Sequence, residues 1–419
     1  MNMRKLIIDN IGPIKHVDVD LLRFNVIIGP QSSGKSTIAK VLSTCEWIEK
    51  EVATTRDEHA VVDGKEFTSL VESFHKMEGY FDRNKPSYVL FETESILIEY
   101  KDKGLKIYLK RKSDYHRQKI CYIPAERNMI TLPELSSFEF GANSLRSFLY
   151  DWYRARAFYS KENKTDILNL GIKYYFDNDE LIKKDRIQHV NGETYDISLS
   201  NSSSGLQSIT PLLVMMQYYT DQYFTEFDRI ESFDLNAKTK KTRAALTREV
   251  ALDLYKPNYS EEEVKLLIAE FNDKLHKGDK RANEIYMLYE QACDRLLIPN
   301  KTTFIIEEPE QNLFPFTQVD LIDDIFFLCS GTREHGFTIT THSPFILSYL
   351  NVLIMRYYKE DFDKSAVNPQ DLAVFSIQDG CLMDLMQTNA KTGMKSVNSE
   401  DLVEAMRKMH SDYMLLKQR

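Results

Sequence analysis

The sequence predicts an α/β protein with a mixed, largely parallel core sheet, and three stretches carry that prediction. Phe24-Asn25-Val26-Ile27-Ile28 is an apolar run leading into the loop Gly29-Pro30-Gln31-Ser32-Ser33-Gly34-Lys35-Ser36-Thr37, after which Ile38-Ala39-Lys40-Val41-Leu42 has helical spacing. Thr303-Phe304-Ile305-Ile306 is a second apolar run, closed by the carboxylates Glu307 and Glu308. Gly336-Phe337-Thr338-Ile339-Thr340-Thr341 is a third, closed by His342. Short apolar runs bounded by polar residues are the pattern of buried core strands.

A strand, a glycine loop ending in Lys-Ser and a helix make up the phosphate-binding P-loop in its required context. Gly29 and Gly34 allow backbone angles and close approaches that a Cβ would forbid, so successive N–H groups can turn inward on an anion. The helix beginning near Gly34 adds its N-terminal partial positive charge. The whole loop, with Gln31, Ser32, Ser33 and Thr37, then cradles a nucleoside triphosphate. Lys35 reaches the β- and γ-phosphates and Ser36 the Mg²⁺. At the carboxyl ends of strands in an α/β sheet, side chains sit where ligands bind. Of the acids closing the Thr303 run, one is expected to hold Mg²⁺, directly or through water, and the other to polarise the attacking water. His342, closing another core strand, is placed to reach the γ-phosphate.

Bulk properties narrow the class. The chain has 419 residues, 42% hydrophobic and 28% charged, the composition of a globular protein with a sizeable core. No apolar run approaches the roughly 20 residues of a membrane span. Met1-Asn2-Met3-Arg4-Lys5 leads into Leu6-Ile7-Ile8-Asp9 without the apolar region and cleavage site of a signal peptide. Cys45, Cys121, Cys293, Cys329 and Cys381 are scattered, with no CxxC, which points to reduced thiols in a cytoplasm and away from a zinc site. A formal net charge of −9 gives no bulk attraction to nucleic acid, although a local basic face is compatible with it.

Taken in order, Lys5 to Ile8 and His16 to Leu22 alternate as paired strands do, with Asn10-Ile11-Gly12-Pro13 as the turn. Phe67 to Met77 has a helical pattern. Tyr88 to Arg111 reads as three strands, with Lys103-Gly104 turning the last two, and predicts an antiparallel sheet flanking the nucleotide. Ile120 to Ile123 is a strand ending in the polar corner Pro124-Ala125-Glu126-Arg127. Leu145 to Tyr159 is helical and rich in aromatic and arginine residues, either a stacking surface for bases or, as such mixtures more often are, a helix half buried against its own domain. Asn191-Gly192 marks a hairpin between Arg186 and Leu199. Asn201-Ser202-Ser203-Ser204-Gly205-Leu206-Gln207-Ser208 then precedes an apolar helix, Ile209 to Tyr219. A Ser/Gly loop at a helix N-terminus is a second anion site, although most such loops are only turns.

Residues 222–298 change character to charged and helix-forming, and predict an insertion of at least two antiparallel helices. A capping box at Ser260 and Glu263 precedes Val264, Leu267, Ile268 and Phe271; Ile285, Leu288, Ala292 and Leu296 mark a further amphipathic helix. The basic cluster Lys238, Lys240, Lys241 and Arg243 is a solvated loop or a nucleic-acid contact. Past His342, Ala373 to Ile377 reads as a strand, Asp379-Gly380 as a turn and Glu400 to Leu416 as a closing helix.

The order of P-loop, Ser-rich loop, carboxylate strand and strand-ending His resembles the ABC-class ATPase heads, of the OLD-type and RecF/SMC-type group rather than transporter subunits. Leu6 to Ile14, Gly29 to Thr37, Ser202 to Ser208, Ile305 to Pro315 and Thr340 to Pro344 carry the resemblance. It implies one ABC-type head, with a first lobe of residues 1–130 and 300–380, a helical signature lobe of 131–221, the insertion 222–298 and a C-terminal strand and helix in 381–419. It places Glu307 at the Walker B position, where Asp is usual, Glu308 at the catalytic glutamate and His342 at the switch histidine. Ser203, Ser204 and Gly205 fall in the signature loop, which departs from Leu-Ser-Gly-Gly-Gln, so the serine register is open by one position. Pro124 to Arg127 stands in place of the Q-loop with no Gln present.

Heads of this class pair head to tail, the Ser loop of one closing over the γ-phosphate held by the other. The resemblance therefore implies a slow ATPase, with ATP and Mg²⁺ as cofactors and a second copy as partner. With about 75 residues beyond His342, no TOPRIM nuclease domain is expected. A stand-alone ATPase of this make-up resembles the sensor subunit of two-component phage-defence systems of the PARIS or Septu type, whose partner is a separate effector such as a nuclease or toxin. The alternative is a RecF/SMC-like DNA-repair or DNA-maintenance ATPase, and a third reading is a nucleotide-stabilised scaffold.

Overall fold

The computed structural model describes residues 4–59, 61, 63–81, 84–110, 115–132, 141–179, 182–191, 195–225, 240, 242–247 and 261–417. Strands β1 (Arg4–Ile11) and β2 (Ile14–Leu21) form an antiparallel hairpin. The strands run on to Ile11 and resume at Ile14, so Gly12-Pro13 alone makes the turn, a tighter connection than Asn10 to Pro13. Gly12 has a φ of 53°, and a Cβ there would sit 2.3 Å from the Tyr80 ring, which is why this turn takes glycine. Strand β3 (Phe24–Ile28) is buried over its whole length. Helix α1 (Lys35–Thr55) follows the P-loop, and α2 (Gly64–His75) packs beside it.

Strands β4 (Tyr88–Glu92), β5 (Ile96–Lys101) and β6 (Gly104–Leu109) pair antiparallel, as their alternation predicts. They are not a separate layer: β4 pairs with β1, and the ribbon continues into the core sheet. The parallel part is built from β7 (Gln118–Ile123), β12 (Lys301–Glu307), β13 (Gly336–Thr341), β3 and β14 (Leu372–Gln378), with β13 lying between β3 and β12. Strand β15 (Cys381–Asp384) joins β14 to β2 and closes an eleven-stranded sheet in the order β6-β5-β4-β1-β2-β15-β14-β3-β13-β12-β7. Both faces of this sheet are covered. Val26 and Ile28 of β3 join one core while Ile27 joins the other, and Phe304, Ile306 and Ile305 divide in the same way.

The described residues between 141 and 221 are less helical than the resemblance implies. Helix α3 (Ser144–Arg156) buries Phe148, Leu149 and Trp152, so the half-buried reading of the aromatic segment holds. Strands β8 (Thr165–Asp166), β9 (Ile172–Asp179), β10 (Ile182–His189) and β11 (Tyr195–Ser198) form a second antiparallel sheet. The expected hairpin is its β10–β11 pair; Gly192 of the turn lies outside the described residues. Helix α4 (Ser204–Gln217) follows the Ser-rich loop and passes into a π-turn at Tyr218–Gln222.

In the insertion, α5 (Glu261–His276) and α6 (Lys280–Leu297) are joined by a short turn at Gly278. Ser260 of the capping box and Lys238 and Lys241 of the basic cluster lie outside the described residues. Leu288, expected on the apolar face of α6, is 65% exposed, and the buried stripe consists of Ala282, Cys293, Leu296 and Leu297. Of the four expected positions, Leu296 belongs to that stripe and Ala292 packs against it, so the buried stripe is shifted around the helix rather than set on its opposite face. Helices α7 (Pro315–Cys329) and α8 (Pro344–Tyr358) follow β12 and β13, each with Pro at its start. The segment after β15 holds two further short strands, β16 (Met386–Thr388) and β17 (Lys395–Val397), before α9 (Glu400–Lys417). Among the described residues, no helix is long and apolar enough to cross a membrane.

The π-turn has a pH consequence. A π-turn breaks the usual ladder of helix hydrogen bonds. The Tyr219 carbonyl accepts from the Thr302 hydroxyl (2.6 Å), and the Thr220 carbonyl lies 2.9 Å from His335 Nε2. His335 Nδ1 accepts from the Thr302 N–H (3.0 Å), so the neutral ring with its proton on Nε2 satisfies both contacts. Burial pushes the His335 pKa down to about 4. The unfolded chain therefore takes up the proton first, and stability falls as the pH drops from about 6.5 towards 4. From pH 7 to pH 5 one such imidazole costs about 2 kcal/mol. His335→Asn should lower the urea midpoint at pH 7 and flatten its loss between pH 7 and 5 by about that amount; equal pH dependence in the two proteins would contradict the assignment.

Candidate functional site

The P-loop leaves β3 at its carboxyl end, as its sequence requires. Gly34 caps α1 with a φ of 107°, and a Cβ there would meet Ile14 Cδ1 at 2.4 Å. Gly29 is needed for close approach instead: a Cβ would lie 2.6 Å from Ile377 Cγ2 and 2.8 Å from the Ile377 carbonyl of β14. Ser32 is left-handed (φ 59°), Gln31 and Ser32 are exposed, and the Ser33 hydroxyl is buried with no partner. Thr37 is buried in the first turn of α1.

Lys35 folds back over this loop. Its Nζ donates to the carbonyls of Gly29 (2.9 Å) and Pro30 (2.7 Å) and lies 3.3 Å from His342 Nδ1. Burial holds its pKa below the usual lysine value, against the opposing pull of Glu308, Glu310 and Glu307. His342 Nε2 lies 3.2 Å from Glu308 Oε1. A neutral ring with its proton on Nε2 accepts from Lys35 and donates to Glu308, so the three side chains form one polar chain. The sequence reading brings these residues to one place, and they do meet.

Glu307 and Glu308 diverge although they are neighbours. Glu307 is 4% exposed and receives hydrogen bonds from the Ser36 and Tyr122 hydroxyls. Burial raises its pKa, while the Lys40 charge and those two hydroxyls pull it back. Glu308 is 32% exposed and left-handed (φ 45°), with its N–H bonded to the Thr340 carbonyl of β13 (2.8 Å). That backbone state costs a non-glycine residue about 1–2 kcal/mol, so its surroundings must enforce it.

Sequence reasoning missed three contributors. Glu310 Oε1 accepts from the His342 N–H (2.6 Å) and fixes the turn after β13. Tyr122, next to last in β7, reaches Glu307 across the parallel pair. Arg127, in the polar corner after β7, is wholly buried beneath the carboxylate turn. Tyr122 is the one with a sequence signal, standing beside the Pro124 corner on a strand that ends near the acids.

The Ser-rich loop lies apart. Ser203 caps α4, its Oγ accepting from the Leu206 N–H (3.4 Å), whereas the Ser202 hydroxyl is committed to the Leu199 carbonyl (2.7 Å). Ser203 and Ser204 are exposed, and a Cβ at Gly205 would approach the Asn312 carbonyl to 2.9 Å. Among the described residues, no hydrogen bond or ion pair joins Ser203, Ser204 or Gly205 to the P-loop of the same chain. The Arg243 guanidinium of the basic cluster pairs with Glu290 at 3.3 Å. A cavity of about 820 Å³ at the amino ends of the parallel strands, among Arg4, Glu49, Lys301 and Asp371, contains none of the site residues.

No family model matches the chain, and no curated protein matches it. Solved structures similar to it include an SMC head domain from Thermotoga maritima, at 11% identity, covering 92% of this chain and 98% of that one with a TM-score of 0.37. Another is an SMC head domain with an extended coiled coil, bound to the C-terminal domain of ScpA derived from Pyrococcus furiosus (10% identity, 98% and 100% covered, TM-score 0.38). A third is the recombination mediator protein RecF with ATP (12% identity, 92% and 100% covered, TM-score 0.31).

Proposed function

We propose that this chain is an ATP-binding and hydrolysing switch of ABC type that pairs head to tail and regulates a partner effector. The observation that carries the reading is the meeting of Lys35, Ser36, Glu307, Glu308 and His342 at the carboxyl ends of three neighbouring parallel strands. Triphosphate entering the loop exchanges the carbonyl acceptors of Lys35 for phosphate oxygens, which are better partners for a desolvated ammonium. Glu308, within reach of solvent and held by His342, accepts the proton of an attacking water. Ser36 and the buried Glu307 offer hard oxygen donors, so the residues fit Mg²⁺. That ion would supply charge neutralisation on the phosphate oxygens.

The exposure of the Ser loop supports the pairing. Ser203 and Ser204 are exposed, and among the described residues they do not bond their own P-loop, while Glu308 and His342 are both partly open to solvent. A second copy can supply the missing donors, which makes nucleotide the adhesive of the dimer. Sizing should show an ATP- and Mg²⁺-dependent shift from monomer to dimer, with slow phosphate release. Monomers at saturating ATP would remove the pairing, and a dimer with no phosphate release would favour a nucleotide-stabilised scaffold. Effector control in phage defence, with a nuclease or toxin as partner, rests on the family resemblance alone. A RecF/SMC-like DNA-repair or DNA-maintenance ATPase is the alternative that the same site supports equally.

A further inference from the structure

The Arg127 guanidinium spans two parts of the site that the sequence treats separately. Its Nε donates to the Ser208 carbonyl in the first half of α4 (2.9 Å). One terminal nitrogen donates to the Glu307 carbonyl (2.8 Å) and, more weakly, to Pro124 (3.3 Å). The other donates to the carbonyls of Glu308 (2.8 Å) and Pro309 (3.2 Å). Every one of these acceptors is a backbone oxygen, and the side chain is 0% exposed. Three consecutive carbonyls around the left-handed Glu308 are thus held by a single planar group. A second contact ties the same two segments together, since Gly205 packs against the Asn312 carbonyl. Only a rigid five-donor fork can serve both sides at once; an ammonium has three donors and no plane.

We propose that Arg127 is a positioning residue that couples the Ser loop to Glu308 within one subunit. The proposal rests on the head-to-tail reading above. In that arrangement the Ser loop of a subunit touches its partner's nucleotide, while its Glu308 serves its own. A strut between the two makes each site sense whether the other is filled, and hydrolysis becomes cooperative in ATP.

Arg127→Lys keeps the charge and loses the fork. The expected result is a 10- to 100-fold lower kcat, ATP affinity within about twofold of wild type, and a Hill coefficient falling from near 2 to near 1. A merely structural role would lower stability and activity together and leave the Hill coefficient unchanged. Cooperative hydrolysis at wild-type kcat in Arg127→Lys overturns the coupling and leaves the ATPase reading standing; a wild type that releases no phosphate overturns both.

Hydrogen exchange tests the strut with Arg127 intact, should the variant not fold. A tagged Lys35→Ala subunit, with its own loop disabled, is mixed with wild type and ATP. Its 203–208 amides should be protected by the partner's nucleotide, and its 307–312 amides should slow with them. Protection of 203–208 alone overturns the proposal, and protection of neither removes the pairing on which it depends.

Discussion

Lys35→Ala is expected to abolish ATP binding at concentrations that saturate the wild type, while the fold survives. Each charge-assisted hydrogen bond from an ammonium to phosphate is worth about 1.5–3 kcal/mol, and Lys35 is placed to make two of them. Their loss corresponds to roughly a 10²- to 10⁴-fold rise in Kd. The loop N–H groups and the start of α1 remain, so residual binding of phosphate at high concentration is compatible with the assignment. Folding should suffer little. In the nucleotide-free chain the ammonium is desolvated, which lowers its pKa, and its acceptors are two carbonyls of the exposed loop rather than a carboxylate. Removing it relieves a buried charge and leaves Gly29 and Pro30 to water. Calorimetric titration with ATP, paired with a thermal melt, separates the two effects. Unchanged ATP affinity in a folded variant would refute the P-loop assignment.

What the sequence revealed of this site follows a physical pattern. Gly29, Gly34, Lys35 and Ser36 were legible because a loop that wraps an anion demands those residues at that spacing within ten positions. Glu307, Glu308 and His342 were legible because each ends an apolar run, and the ends of parallel strands converge on the ligand side of the sheet. Arg127 was not legible. Its partners are backbone carbonyls 81 to 182 positions away, apart from Pro124, and a polar corner after a strand ordinarily reads as exposed. Glu310 was hidden for the same reason, since it acts on an element remote in sequence, whereas the place of Tyr122 near the end of a core strand was a usable signal. In the fold, β8 escaped because it has only two residues, and β9 because its Tyr174-Tyr175-Phe176 run is buried without clean alternation, although Gly171 and Asp177-Asn178-Asp179 flank it. The extension of the sheet through β15 depends on a pairing with β2 that involves a single residue pair, Cys381 with His16. Helix α6 shows the limit of periodicity, which finds an amphipathic helix and its Leu296 but not how far round the covered stripe extends, since Leu288 is exposed while Cys293 and Leu297 are buried.

Glu308→Gln is expected to halt turnover and leave nucleotide bound, so that dimers accumulate. The substitution is nearly isosteric and preserves what the structure asks of the position. Gln keeps an oxygen that can accept from His342 Nε2, and the backbone bond to Thr340 is untouched. What disappears is the basicity, and loss of a positioned general base costs about 10²- to 10⁴-fold in rate. Binding should hold, because Lys35 and the loop amides are unchanged and one negative charge has left the phosphate side. With hydrolysis removed, the state that ATP favours becomes the resting state, and sizing in ATP and Mg²⁺ should show a dimer that persists for hours. The neighbouring substitution Glu307→Gln separates the roles. Glu307 is buried against Ser36 and Tyr122 and does not face the open side of the cradle, so its loss should raise the Mg²⁺ requirement rather than trap the dimer. If Glu308→Gln hydrolyses ATP at the wild-type rate, the base lies elsewhere. If it is inactive yet stays monomeric in ATP, the γ-phosphate is not shared between two copies and the head-to-tail pairing is wrong.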